Sequence, residues 1–347
     1  MDLQVHSDRQ NDTGRLRSSA PVRPVFAALD LGTNNCRLLV ARAVPGGFRV
    51  IDAFSRIVRL GEGLTRNDRL SDQAMERTLA ALRVCGGKIE RRGVTAVRAV
   101  ATEACRRARN CNEFIDTVER ETGIAIEIIS TQEEGRLALA GCASLLNPQV
   151  PYALVFDIGG GSTELMWLAV EEGRAPRILD QTSIRCGVIG LTEQFGGSQA
   201  AAAAPAPVLY RRMVEAVADA IGPFEARNRI AERVRAGAVQ MLGTSGTVTT
   251  LAGVHLGLCR YDRRAVDGSF LRVDHARAVI NRLVMLDFEG RARHPCIGQE
   301  RADLVVAGCA VLDALCDCWP VERLRIADRG LREGILVDLI GAARPSY

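Results

Sequence analysis

"VFDIGGGSTEL", residues 155–165, is an apolar run that ends in an acid and is followed by three glycines, small polar residues and a second acid. Glycine-rich turns after strands commonly cradle phosphate, because glycine lets backbone N–H groups approach an anion closely. The segment after the turn decides the fold. A dinucleotide fingerprint or a Walker loop opens a helix whose N-terminus receives the phosphate. Here "TELMWLAV" (163–170) is β-like and ends in a turn, so the glycines join two antiparallel strands. The motif G-x-x-x-x-G-K-S/T occurs nowhere in the chain, and both nucleotide-fold readings fail.

The stretch has a double. "VFAALDLGTNNCRLLVARAVPGGFRV" (25–50) and "YALVFDIGGGSTELMWLAVEEGRAPRI" (152–178) share one layout of strand, acid, polar glycine loop, strand, glycine turn and strand. Asp30 matches Asp157, Gly32 matches Gly159 and Gly46 matches Gly173, each at an offset of 127 residues. A repeat that long reads as two copies of one domain type. Residues 24–138 and 139–327 are therefore expected to form two mixed sheets, each beginning with three antiparallel strands, with the two loops facing across a cleft. Gly32, Thr33, Asn34 and Asn35 from one loop and Gly159, Gly160, Gly161, Ser162 and Thr163 from the other would surround an anion. Asp30 and Asp157, at the strand ends, would hold a metal ion that offsets phosphate charge. The plain alternative is a pair of ordinary turns whose Asp residues accept loop N–H bonds.

A chain of 347 residues suggests two domains, and 47% hydrophobic with 25% charged residues is a soluble, globular composition. A net charge of +4 is too small to argue for DNA binding, but suits an anionic ligand if focused in one place. Eleven scattered cysteines read as reduced, buried thiols, and Cys316 and Cys318 lack the partners of a zinc site. The uncharged stretches 137–156 and 236–259 are broken by Pro148 and Pro151 or are rich in Gly and Thr, so a cytoplasmic protein without membrane spans is expected. Residues 1–23 read as a disordered tail and 198–208 as a low-complexity connector.

The paired "DLGTNN" and "DIGGGSTEL" loops resemble those of the exopolyphosphatase / guanosine pentaphosphate phosphohydrolase (Ppx/GppA) family, within the actin–sugar kinase–Hsp70 superfamily. "VRAVATEACRRARN" (97–110), "IEIISTQEEGRLALAG" (126–141), "GTSGTVTTLAGV" (243–254) and "ADRGLREGIL" (327–336) agree in order, so the resemblance runs from Val25 to Leu336. It implies an α/β fold of two duplicated ribonuclease H-like, actin-like ATPase domains with an interdomain cleft, in the short two-domain form. A C-terminal helix within 328–347 would pack back on the first domain. The implied activity is Mg2+-dependent release of terminal orthophosphate from inorganic polyphosphate. The alternative within the family is hydrolysis of guanosine pentaphosphate to the tetraphosphate. A homodimer is the expected assembly. Rivals of other classes are a non-catalytic polyphosphate or alarmone binder and an actin-like ATPase or kinase.

Single motifs carry less weight alone. Ser130-x-x-Glu133 is a capping box, and Thr131-x-x-Glu134 fits equally well, so capping leaves one glutamate free without saying which. The resemblance makes Glu134 the catalytic general base and Glu133 structural. It also makes Arg106 a phosphate-binding arginine, while Arg107 and Arg109 either extend the positive path or face solvent. Glu164 would orient metal or water, with a solvent-facing strand position as the alternative. Ser245, Gly246 and Thr247 resemble the superfamily's adenosine loop, here lining a polyphosphate groove, or else form a helix entry with Ser245 or Thr247 as N-cap. Arg332 and Glu333 could equally be a solvated pair. His255, His275 and His294 are read as surface or core residues rather than ligands.

Overall fold

The computed structural model describes residues 24–195 and 206–343. The tail expected over 1–23 and most of the connector 198–208 lie outside them. Strands β1 (Val25–Leu31), β2 (Asn35–Val44), β3 (Gly47–Ile57), β4 (Ala96–Ala101) and β5 (Ile126–Ile128) form a sheet in the order β3-β2-β1-β4-β5. The first three are antiparallel, and β4 and β5 join in parallel. A second sheet combines β6 (Tyr152–Ile158), β7 (Thr163–Ala169), β8 (Arg177–Ile184), β9 (Val239–Thr244), β10 (Phe270–Arg272) and β11 (Arg323–Ala327) in the order β10-β11-β9-β6-β7-β8. Here too the first three strands are antiparallel, and β9 and β11 continue in parallel. The duplication extends to register: Asp30 lies opposite Arg37 on β2, as Asp157 lies opposite Glu164 on β7. This is the duplicated ribonuclease H-like, actin-like arrangement.

Central strands such as "VFAALDL" are apolar on both faces because helices cover both sides. On one face of the first sheet the helices Asp72–Arg91 and Cys111–Thr122 bury Leu82, Phe114 and Val118 against Leu29, Leu31 and Leu38. The opposite face is closed by the helix Leu331–Ala342, whose Ile335, Leu336 and Ile340 pack on Phe26, Ala28, Leu39 and Val100. The last helix thus leaves the second sheet through β11 and returns to the first. On the second sheet, Phe156, Leu165 and Trp167 are covered by the helices Ala206–Asn228, Ser245–His255, Val273–Met285 and Val305–Cys318.

The expected domain boundary at 138/139 falls inside a helix, Thr131–Cys142. Leu137 packs with the first sheet, whereas Ala138, Leu139 and Cys142 pack with Val155, Met166 and Leu168 of the second. The chain crosses between domains within one rigid element, so no flexible linker marks the crossing. Among the described residues no helix is long and apolar enough to cross a membrane. All eleven cysteines are free thiols, nine of them buried.

Candidate active site

Both loops are closed by the same backbone bond. The Gly32 N–H donates to the Asn35 carbonyl at 2.9 Å, and the Gly159 N–H to the Ser162 carbonyl at 2.9 Å. The loops also touch: a Cβ built on Gly160 would lie 3.0 Å from Asn34 Cβ, so only glycine allows this approach. A third loop joins them, in which Ser245 takes a left-handed φ of 83° and its hydroxyl donates to the Ile158 carbonyl at 2.7 Å. Ser245, Gly246 and Thr247 form the half-buried N-terminal turn of Ser245–His255, which suits an anion. Neither Ser245 nor Thr247 is the N-cap: that residue is Thr244, whose hydroxyl donates instead to the Arg329 carbonyl at 2.9 Å. Together the loops line a cleft of about 610 Å³. Asn34 lines this cleft, and its Oδ1 is buried and, among the described residues, without a partner, as a group awaiting a ligand would be.

Asp30, Glu134, Asp157 and Glu164 line the cleft, and Glu103, Glu300, Asp328 and Glu333 line it as well. Burial raises the Asp30 carboxyl, against Arg37 and Arg332. Burial likewise pushes Asp157 up to about 6, with Arg37 opposing and Asp30 adding to the rise. Glu164 is 4% exposed, which removes the solvent-facing reading, and burial with the Asp157 charge takes it to about 7. Its Oε1 accepts from the Ser162 hydroxyl at 2.5 Å and the Ser183 hydroxyl at 2.9 Å. Among the described residues no three Asp, Glu, His or Cys side chains converge as a metal cluster. The expected set Asp30, Asp157 and Glu164 is therefore not a three-carboxylate cage. Asp30 and Asp157 alone still fit Mg2+, a hard cation commonly bound by one or two carboxylates with water and phosphate completing its shell.

Ser130 caps the helix Thr131–Cys142, accepting from the Glu133 N–H at 3.2 Å. Glu133 does not complete the box. Its carboxylate accepts from Arg136 Nε at 2.7 Å and Arg98 Nη2 at 2.9 Å, and these charged donors outcompete a backbone amide. Glu134, one residue on, turns into the cleft and accepts from Arg106 Nη1 at 2.7 Å. Burial and the Glu164 charge hold its proton to well above the usual carboxylate range, and Arg106 opposes them.

Two expected phosphate ligands are placed otherwise. Arg106 is absent from the cleft lining, its guanidinium being taken by Glu134, Glu103 and the Ile129 carbonyl. Thr163 is fully buried, and its hydroxyl donates to the Cys186 carbonyl at 2.8 Å because strand alternation turns it from Glu164's side. None of His255, His275 and His294 lines the cleft.

A model of the Ppx/GppA phosphatase family matches residues 39–343. The chain belongs to that family. It is 33% identical over 319 residues to the guanosine-5'-triphosphate,3'-diphosphate pyrophosphatase of Aeromonas hydrophila, a match that covers 92% of this chain and 60% of that protein. The Aquifex aeolicus family member, solved by crystallography, superposes with a TM-score of 0.72 at 28% identity, covering 93% of this chain and 99% of that one. A solved exopolyphosphatase-like protein gives 0.81 at 29% identity, covering 92% and 98%.

Sequence reasoning missed cations that this Ppx/GppA chain brings to its cleft. Arg37 and Arg332 line it without a salt bridge among the described residues. Arg37 could have been found, since the repeat that pairs Asp30 with Asp157 pairs Arg37 with Glu164. Arg332 carries no such signal, and beside Glu333 it reads in sequence as half of a solvated pair. Glu333 is in fact 5% exposed, accepts from Gly330 N–H at 3.0 Å and pairs with Arg263 at 2.7 Å. It holds the first turn of the last helix, which carries Arg332 into the cleft.

Proposed function

We propose that this chain hydrolyses the terminal phosphoanhydride of inorganic polyphosphate, releasing orthophosphate, with Mg2+ as cofactor. The observation that carries the reading is Glu134: a carboxylate turned into a cleft of phosphate-type loops and held by a single arginine fork. The loop N–H groups and the helix N-terminus at Ser245 receive the terminal phosphate. Arg37 and Arg332 offset its charge as domain closure brings the walls together. Glu134 orients a water for in-line attack on the terminal phosphorus and accepts its proton; the bridging P–O bond breaks, and its electron pair leaves with the shortened chain. Asp30 and Asp157 would hold Mg2+, which would supply countercharge to the phosphate oxygens.

A second reading, guanosine pentaphosphate as substrate, is favoured by one feature. Tyr261, Pro295, Ile297, Leu304 and Val305 give part of the cleft an apolar wall that a polyphosphate chain has no use for. The same reading of the chain as a family enzyme takes it to be a cytoplasmic homodimer without DNA or membrane as partner, and light scattering on the eluted protein checks the dimer. Phosphate released from long-chain polyphosphate, guanosine pentaphosphate and ATP in separate incubations tests the function. Release from polyphosphate supports the first reading and release from pentaphosphate alone the second. Turnover of ATP alone, or binding of all three without release, overturns both.

A further inference from the structure

Several carboxylates in the cleft wall have no part in the proposed hydrolysis, and Glu103 is one of them. Glu103 opens the short helix Glu103–Arg107 directly after β4 and lines the same cleft as the phosphate loops. A carboxylate there repels any polyanion, so a bare charge would weaken binding. Its side chain is only 13% exposed. Oε2 accepts from Arg106 Nη2 at 3.1 Å, and Oε1 lies 3.9 Å from Arg107 Nε. The other terminal nitrogen of Arg106, Nη1, donates to Glu134 Oε2 at 2.7 Å and to the Ile129 carbonyl at 3.0 Å.

A guanidinium is a rigid planar fork, so acceptors on both of its ends fix its orientation. Nη1 alone would allow rotation about its own contacts. Glu103 on Nη2 removes that freedom and keeps Arg106 from swinging toward an incoming phosphate. Arg106 is the one salt-bridge partner of Glu134 among the described residues. Whatever fixes Arg106 therefore fixes the base.

We infer that Glu103 is a positioning residue: acting through Arg106, it holds the Glu134 carboxylate in the orientation that takes a proton from the attacking water. The kinetic part of this inference rests on the hydrolase reading, and the geometric part does not.

The test uses Glu103→Ala, which removes the acceptor, and Glu103→Gln, which keeps an acceptor oxygen without charge. On polyphosphate, E103A should lower kcat by about tenfold to a hundredfold, the scale of a misplaced reacting group. KM should stay level or fall, and E103Q should recover much of the loss. Combined with Arg106→Ala, E103A should add nothing, because the pair acts as a unit. In 15N-arginine-labelled protein the Nη signals of Arg106, assigned through R106A, should be separate in the wild type. They should coalesce in E103A, as rotation is freed. An unchanged kcat with a lower KM would make Glu103 a mere repulsive charge and overturn the inference. Arg106 signals that do not respond to E103A would overturn it as well. Should the wild type release no phosphate from any substrate, the hydrolase reading fails, while the Arg106 signals still decide the geometric claim.

Discussion

Glu134, the proposed base, sits where its own ionisation is opposed by its surroundings. Burial and the charge of Glu164 favour the protonated form, and Arg106 restores the carboxylate. Glu134→Gln should therefore lower turnover by about 10² to 10⁴ while leaving the fold intact, since an amide oxygen still accepts from Arg106 but takes no proton. Glu133→Gln should leave turnover within about twofold, because that side chain faces Arg98 and Arg136 rather than the cleft. Its cost is in stability. Glu133 is held at about 2 by Arg136 and Arg98, below its unfolded value, so its contribution is present above the ordinary carboxylate pKa and lost as pH falls toward 2. Melting curves across that range should be flatter for E133Q than for the wild type. The cleft acids have the opposite sign. Asp157 at about 6 and Glu164 at about 7 are raised by burial, so their contribution is full below the ordinary carboxylate pKa and lost as pH rises toward 7. Chelator-treated protein should melt higher at pH 5 than at pH 8. Added Mg2+ should raise the melting temperature more at pH 8, where the carboxylates are free to bind it. Asp157→Asn should abolish most of that Mg2+ response, and an undiminished response would remove Asp157 from the proposed metal site.

At the scale of elements, the tightest glycine contacts lie between the two helices that cross between domains. A Cβ on Gly334 would lie 1.9 Å from the Leu137 carbonyl oxygen, and one on Gly141 would lie 2.0 Å from that of Gly330. Backbone, not a flexible side chain, stands in the way. Gly334→Ala must push the last helix off Thr131–Cys142, which carries Glu134, and should cost about 1–3 kcal/mol or more in chemical denaturation. Turnover should fall with it; an unperturbed Gly334→Ala variant would mean that the helices can part without loss. The strand-loop-strand repeat that frames these helices was legible in sequence because its signals are local: a period of two, an acid at each strand end and turns at matched positions. Ser130 as a cap was legible for the same reason. The destination of the Glu133 carboxylate was not, because Arg98 reaches it only once β4 and the helix have packed, although its i,i+3 partner Arg136 is local. Glu103, Arg332 and the turned-away Thr163 were hidden alike: each depends on which side of an element the tertiary fold turns to the cleft.

For the molecule as a whole, polar ties beside the cleft join the domains in addition to these two helical crossings. Arg59, on the loop after β3, grips Asp303 with both terminal nitrogens, at 2.9 and 3.1 Å, and donates to the Glu300 carbonyl at 3.2 Å. Nearby, the Gly63 N–H donates to Glu193 of the second domain at 2.8 Å. The Arg59 tie bears on the first glycine loop, since the N–H groups of Val58 and Arg59 donate to the Asn34 carbonyl and Asp303 lies beside the cleft residue Arg301. Closing this latch thus carries the first glycine loop toward the second domain. The pair is about one-third exposed, so screening limits it to roughly 0.2–1 kcal/mol. A shift of that size changes the closed-to-open ratio by at most about fivefold. Arg59→Ala should accordingly lower kcat/KM by up to about fivefold and increase the radius of gyration in solution scattering, with Glu134 chemistry unaltered at saturating substrate. Because the tie is ionic and partly exposed, raising salt should bring the wild type toward the variant, and Asp303→Asn should add little to Arg59→Ala. Identical scattering and identical salt dependence in the two proteins would show that the crossings alone hold the cleft closed.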